Sequence, residues 1–280
     1  MALAGVGLLA GCTATPDATQ SLPVSLPDGV SVSIFQNRDD YGPRRLEISV
    51  ENASPAALTV TKATLASKQF AGGTSWTRPT EVPSGSTRNL RVDLPATDCD
   101  TDATAATVTL AFELPDGSVG TATVTPADPF DQLAKITSED CAAIDTERTV
   151  TITLGDKLRT EQRGDETVAL LDVTFTPTGT GEPVAVDEIL RTTLVQPADG
   201  TAAWAVGESF DAASEARSIT LDIVPANCRL HTVAEDKRGT FFPFAVRDEV
   251  FYVPASSAVK EQIYDYIAAY CGWDSDTPLE

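Results

Sequence analysis

Histidine is almost missing from this chain: of 280 residues only His231 is one. A Ser-His-Asp nucleophile would have to recruit that imidazole, and no G-x-S-x-G turn is present to carry the serine. Cys228-Arg229-Leu230-His231 has the spacing of half a zinc site, but there is no second Cys-His pair to complete four ligands. The sequence therefore points to no catalytic residue, no metal and no cofactor. Basic residues are also scarce. Twenty Lys and Arg face 41 Asp and Glu, a formal net charge of -21, so the phosphate backbone of a nucleic acid would be repelled. No apolar run approaches the ~20 residues that a membrane-spanning helix needs.

What the chain does hold is a repeat. Cys99 and Cys141 lie 42 positions apart, Cys228 and Cys271 lie 43 apart, and the offset between the two pairs is about 129 residues. Trp76 precedes Cys99 by 23 positions as Trp204 precedes Cys228 by 24. Each copy then runs through an extended segment, a turn, a second extended segment ending in Val124-Thr125-Pro126-Ala127 or Val253-Pro254-Ala255, and a helical stretch that carries the closing cysteine. Duplication of one domain accounts for this order. Four cysteines allow three pairings; duplication selects bonds inside each copy, Cys99 with Cys141 and Cys228 with Cys271. Each loop so closed contributes roughly 4 kcal/mol in the chain-entropy model. Such bonds require an oxidising compartment.

Alternating residues predict strands at Val30 to Ile34, Arg45 to Val50, Leu58 to Leu65, Asn89 to Leu94, Val108 to Leu114 and Val119 to Val124, with Pro115-Asp116-Gly117 turning the last two into a hairpin. The second copy offers Val150 to Leu154, Val168 to Phe175, Val184 to Val195, Ser218 to Val224, Phe241 to Val246 and Val250 to Val253. Short strands at this spacing predict a mainly β chain of two tandem immunoglobulin-like antiparallel sandwiches, each closed by a disulfide-tethered helix. The first helix is expected to be capped by Asp128 with Pro129 as its first residue and Phe130 and Leu133 on its apolar face; the second begins at Ser256 or Ser257 and carries Val259, Ile263, Tyr266, Ile267 and Tyr270 as its stripe.

The fifth cysteine stands apart. Leu9-Ala10-Gly11-Cys12 ends an apolar N-terminal stretch and resembles the lipobox of bacterial lipoproteins. The resemblance covers these residues and the apolar stretch alone. It implies that residues 1–11 are the remnant of a signal peptide, with a start upstream of Met1 that supplies the missing basic residues, and that the Cys12 sulfur carries diacylglycerol with palmitate among its acyl chains. It also implies anchorage on the extracytoplasmic side of the cell membrane. Residues 12–27 are then a flexible tether, 28–145 and 146–274 the two sandwiches, and 275–280 a disordered tail.

Between the copies, the stretch after the third cysteine differs most. Thr232 to Gly239 reads as a charged loop with His231, Glu235, Asp236, Lys237 and Arg238 beside the aromatic strand Phe241, Phe242 and Phe244, where the first copy has small and acidic residues. It is the candidate recognition loop. Asp98, Asp100 and Asp102 alternate as in the first half of a calcium loop, but Ala103 stands where its glycine belongs and Thr109 where its glutamate belongs. The equivalent places of Trp76 and Trp204 suit a shared core role better than two sugar platforms. The expected function is a lipid-anchored, non-enzymatic interaction or structural module that binds another envelope protein or polymer. The alternative is a binding protein for a small ligand or glycan through the second domain. An enzyme would need carboxylates gathered in a cleft, and the sequence singles out no such pair.

Overall fold

The computed structural model describes residues 25–101 and 105–273. The signal remnant, Cys12, nearly all of the tether, Asp102 and Ala103 of the calcium-like run, and the tail 275–280 lie outside the described residues.

Eight strands build the first sandwich: β1 (Val30–Phe35), β2 (Arg45–Asn52), β3 (Leu58–Ser67), β4 (Thr74–Trp76), β5 (Thr80–Val82), β6 (Ser86–Asp93), β7 (Ala106–Glu113) and β8 (Val119–Val124). One sheet has the order β1-β2-β6; the facing sheet runs β4-β3-β7-β8 with β5 also on β3. The second sandwich repeats this with β9 (Val150–Arg163), β10 (Glu166–Pro177), β11 (Val184–Leu190), β12 (Val195–Pro197), β13 (Ala203–Phe210), β14 (Arg217–Pro225), β15 (Phe241–Val246) and β16 (Glu249–Pro254). Its sheets run β12-β14-β10-β9 and β13-β11-β15-β16. First, second and sixth strands against third, seventh and eighth is the immunoglobulin-like arrangement, and both copies have it. Every pairing among the named strands is antiparallel.

Alternation is what closes each sandwich. On β7 the residues Val108, Leu110 and Phe112 point inward and are fully or almost fully buried, while Thr107 and Glu113 face water. The first core gathers Ile34, Ile48, Val60, Leu90 and Phe112; the second gathers Leu171, Phe175, Ile189, Phe242 and Phe244. Each fully buried side chain of this size stabilises the fold by about 1.5–3 kcal/mol.

The two predicted disulfides are formed, with Cα–Cα distances of 5.6 Å for Cys99–Cys141 and 5.5 Å for Cys228–Cys271. The first ties the segment after β6 into the middle of α1 (Gln132–Glu147); the second ties the segment after β14 to the end of α3 (Ser257–Tyr270). Ser256 caps α3 by accepting the Val259 N–H at 3.2 Å. Val259, Ile263, Tyr266 and Ile267 are buried as the stripe requires, whereas Tyr270 is left 37% exposed. The Tyr266 hydroxyl reaches the carbonyls of Thr167 and Ile223 at 2.7 and 3.0 Å, and burial pushes its pKa up to about 12.

Several expectations need correction. α1 begins at Gln132, not at Pro129: the residues between form a turn with Asp131 in the left-handed region (φ 49), and Asp128 caps from outside, its two oxygens accepting the N–H groups of Gln132 and Leu133. Phe130 therefore misses the apolar face and is 71% exposed. The single strand expected from Val184 to Val195 is two strands in different sheets. A bulge interrupts β11 between Val186 and Glu188, and the Thr192 hydroxyl accepts the N–H groups of Leu194 and Val195 to turn the chain across. β4, β5 and β13 have no counterpart among the expected strands; two of them are only three residues long. The loop from Thr232 to Gly239 opens inside a short helix, α2 (Leu230–Ala234).

Two residues, Arg148 and Thr149, separate α1 from β9. The closing helix of one sandwich thus leads directly into the first strand of the next, and its Ala142 and Ala143 pack on the second core.

Candidate functional site

The β1–β2 turn of the first sandwich is the element that reaches across. Asp40, wholly buried, accepts the Asn37 N–H at 3.2 Å, and its carboxylate lies 2.8 Å from Arg91 Nε, which also donates to Glu47 at 2.9 Å. Arg44 takes a left-handed φ of 56. With the turn pinned in this way, Tyr41 projects into the second sandwich. Its ring stands edge-on to Phe241 (centroids 5.4 Å) and to Tyr252 (5.3 Å). The Arg238 guanidinium lies 3.6 Å above the Tyr41 ring and 4.7 Å from that of Tyr252. Gly42 favours the close approach: a Cβ there would be 3.1 Å from the Phe241 ring, which would have to shift by a few tenths of an ångström.

Polar contacts complete the junction through α1. The Tyr41 hydroxyl donates to Glu139 at 3.0 Å. Burial pushes the Glu139 carboxyl above its ordinary 4.5, although the Tyr41 hydrogen bond and Arg238 oppose the shift. Asp140 is held by Arg44 and Thr97, and Ser138 bonds to Glu249 on β16. Beside these contacts opens a cleft of about 220 Å3, lined by Tyr41, Ile136, Glu139, Phe241, Tyr252 and Pro254 among others. It offers aromatic walls and mixed polar groups. Among the described residues no three Asp, Glu, His or Cys side chains are grouped as a metal ion requires.

The candidate recognition loop divides its residues between inside and outside. Arg238 belongs to the junction, where its Nη2 is buried without a hydrogen-bond partner. Asp236 is occupied locally, accepting the Gly239 N–H at 2.7 Å and the Thr193 hydroxyl. His231 is exposed and lies 3.4 Å from Glu235, one helical turn on; Lys237 is exposed. Sequence reasoning did not single out Tyr41 or Glu139. The available signal was Tyr41-Gly42-Pro43, an aromatic residue beside two turn residues with no counterpart in the second copy. Trp76 and Trp204 do occupy equivalent strands, β4 and β13, and Trp204 is buried with its indole N–H on the Asp222 carbonyl at 2.8 Å. Trp76 is only half-buried and carries Arg78 on its ring at 4.0 Å.

Among the described residues no helix is long and apolar enough to cross a membrane. No protein-family model matches the chain, and no curated protein matches it. Among solved structures, a red sea bream transglutaminase aligns with 82% of this chain and 31% of its own at 10% identity, with a TM-score of 0.25. An exo-chitosanase from Amycolatopsis orientalis aligns with 81% and 26% at 14% identity and a TM-score of 0.22. A chaperone–tip adhesion subunit complex from Acinetobacter baumannii aligns with 76% and 91% at 7% identity and a TM-score of 0.20. The chain spans less than a third of the first two. Likenesses this remote say nothing of what it binds.

Proposed function

We propose that this chain is an exported, lipid-anchored protein of the bacterial cell envelope that acts by binding, without catalysis, and that its two sandwiches work as one interaction module. The observation that carries this reading is the junction. Tyr41, Arg238 and Tyr252 interlock across it while α1 continues into β9 with two residues between, so both sandwiches are held in one fixed relation. A fixed relation suits a protein that presents a composite surface to a macromolecular partner. The two disulfides support folding outside the cytoplasm, and the lipobox resemblance at Cys12 supports the anchor, where thioether diacylglycerol supplies the two chains that stable attachment needs.

Crosslinking in the native membrane followed by capture of the protein tests this role. The reading expects an envelope protein or polymer retained by the wild type and lost when the Tyr41 junction is opened. Recovery of only a soluble small molecule would overturn it. That second reading, a small-ligand or glycan binder, draws on the 220 Å3 cleft with its Tyr41, Phe241 and Tyr252 walls. It expects a ligand-induced melting shift that disappears in Tyr252→Ala.

A further inference from the structure

The hairpin of β9 and β10 is longer than the fold requires. Its counterparts in the first sandwich, β1 and β2, run 6 and 8 residues, whereas β9 and β10 run 14 and 12 and stay paired out to Arg163 and Glu166 at the tip. The first sandwich closes without this added length, so closure of a sandwich does not require it. The residues added to β9 are mostly exposed, and they lean on α3: the Leu158 N–H donates to Gln262 at 2.8 Å, which blunts the open edge of the strand.

Between hairpin and helix lies a groove of about 370 Å3 with Leu158, Tyr266 and Tyr270 in its wall and Asp265 at its side. Past Tyr270 it continues to Asp165 and Glu166. The Tyr270 hydroxyl bonds to Glu166 at 2.5 Å, which fixes a ring that is 37% exposed. Asp165, Glu166 and Asp265 have no ion-pair partner among the described residues. Arg163, the one basic residue lining the continuation, is committed to Glu161 and Asp222. A half-open aromatic ring among three unneutralised carboxylates is short of a cation, and both the ring face and the carboxylates attract one. The groove is too large for one side chain and is open to solvent, so a polypeptide segment can reach it.

We propose that this groove docks a basic polypeptide segment of the partner, with a lysine or arginine side chain lying on the Tyr270 ring between Asp165, Glu166 and Asp265. It rests on the interaction-module reading and gives that partner its chemistry. Membrane crosslinking decides the module reading separately, without reference to this groove.

Calorimetric titration of the full chain with hexalysine at low ionic strength tests the proposal, since the general attraction of a chain with net charge -21 is removed by comparison among variants. Glu166→Gln with Asp265→Asn should weaken binding by about tenfold or more, and Tyr270→Leu, which leaves every charge in place, should weaken it by about tenfold. Tyr270→Phe keeps the ring and loses only the hydroxyl bond to Glu166, so it should bind more tightly than Tyr270→Leu, and an unchanged melting profile of Tyr270→Leu separates loss of the ring from loss of folding. Glu215→Gln with Glu261→Gln removes the same number of charges from exposed positions outside the groove and should change little. Equal weakening by both double variants, wild-type binding by Tyr270→Leu, or displacement of the peptide by neutral chitohexaose would each overturn the proposal.

Discussion

Tyr41→Ala should uncouple the two sandwiches while leaving each folded. The ring makes two edge-on aromatic pairs across the junction, each worth about 0.5–1.5 kcal/mol beyond buried area. The Arg238 guanidinium on its face adds about 1 kcal/mol, and the hydroxyl bond to Glu139 about 1 kcal/mol or more. Together these losses reach about 3–5 kcal/mol, the range measured when a buried aromatic side chain is cut to alanine. The share made with Phe241, Tyr252 and Arg238, about 2–4 kcal/mol, falls on docking, because Tyr41 belongs to neither core and only the Glu139 bond stays within the first sandwich. A loss of about 3 kcal/mol lowers the docking equilibrium roughly a hundredfold. Calorimetric melting is the assay, read beside tryptophan fluorescence from Trp76 in the first sandwich and from Trp204 and Trp273 in the second. The wild type should melt with coincident signals and the variant in two resolved steps. A variant that still melts in one coincident step at the wild-type temperature would refute the reasoning.

Replacing Cys228 and Cys271 by serine opens a loop of 43 residues and should cost about 4 kcal/mol, with hydrogen exchange rising along α3 at residues 257–270. The same change at Cys99 and Cys141 should leave α1 protected, because that helix is held at both ends, by Leu133 and Ile136 in the first core and by Ala142, Ala143 and β9 on the second; exchange rising equally in both helices would contradict this. Glu139 supplies a pH signature. Its folded pKa lies above the ordinary 4.5, so the stability it contributes is fully present below about pH 4.5 and is lost as pH rises through the raised value. Glu139→Gln, neutral throughout, should lack that part of the decline when melting temperatures are compared from pH 4 to 7, and parallel profiles would exclude it.

Strand alternation made the sandwiches legible because one buried face forces period-two burial, as in Val108, Leu110 and Phe112. The duplicated cysteine spacing made the disulfides legible for a different reason: equal offsets in two copies select one pairing out of three. Contacts between copies leave no such trace. Tyr41 and Arg238 are far apart in sequence, sit in turns and obey no period, so their meeting is set by how α1 feeds β9 and not by any local pattern. Arg238 was legible as unusual but not as inward-facing, since a charged loop and a buried guanidinium on two rings have the same composition. The α3 groove was half legible: the tyrosine stripe predicted burial, but the exposure of Tyr270 and the excess length of β9 depend on tertiary placement.

Intact-mass measurement of the protein extracted from its native membrane, without reduction, tests the account most directly. The account predicts a chain that begins at Cys12, carries diacylglycerol on its sulfur, and is lighter by four hydrogens for the disulfides Cys99–Cys141 and Cys228–Cys271. A chain with unmodified Cys12 or with free thiols at those four positions would contradict it.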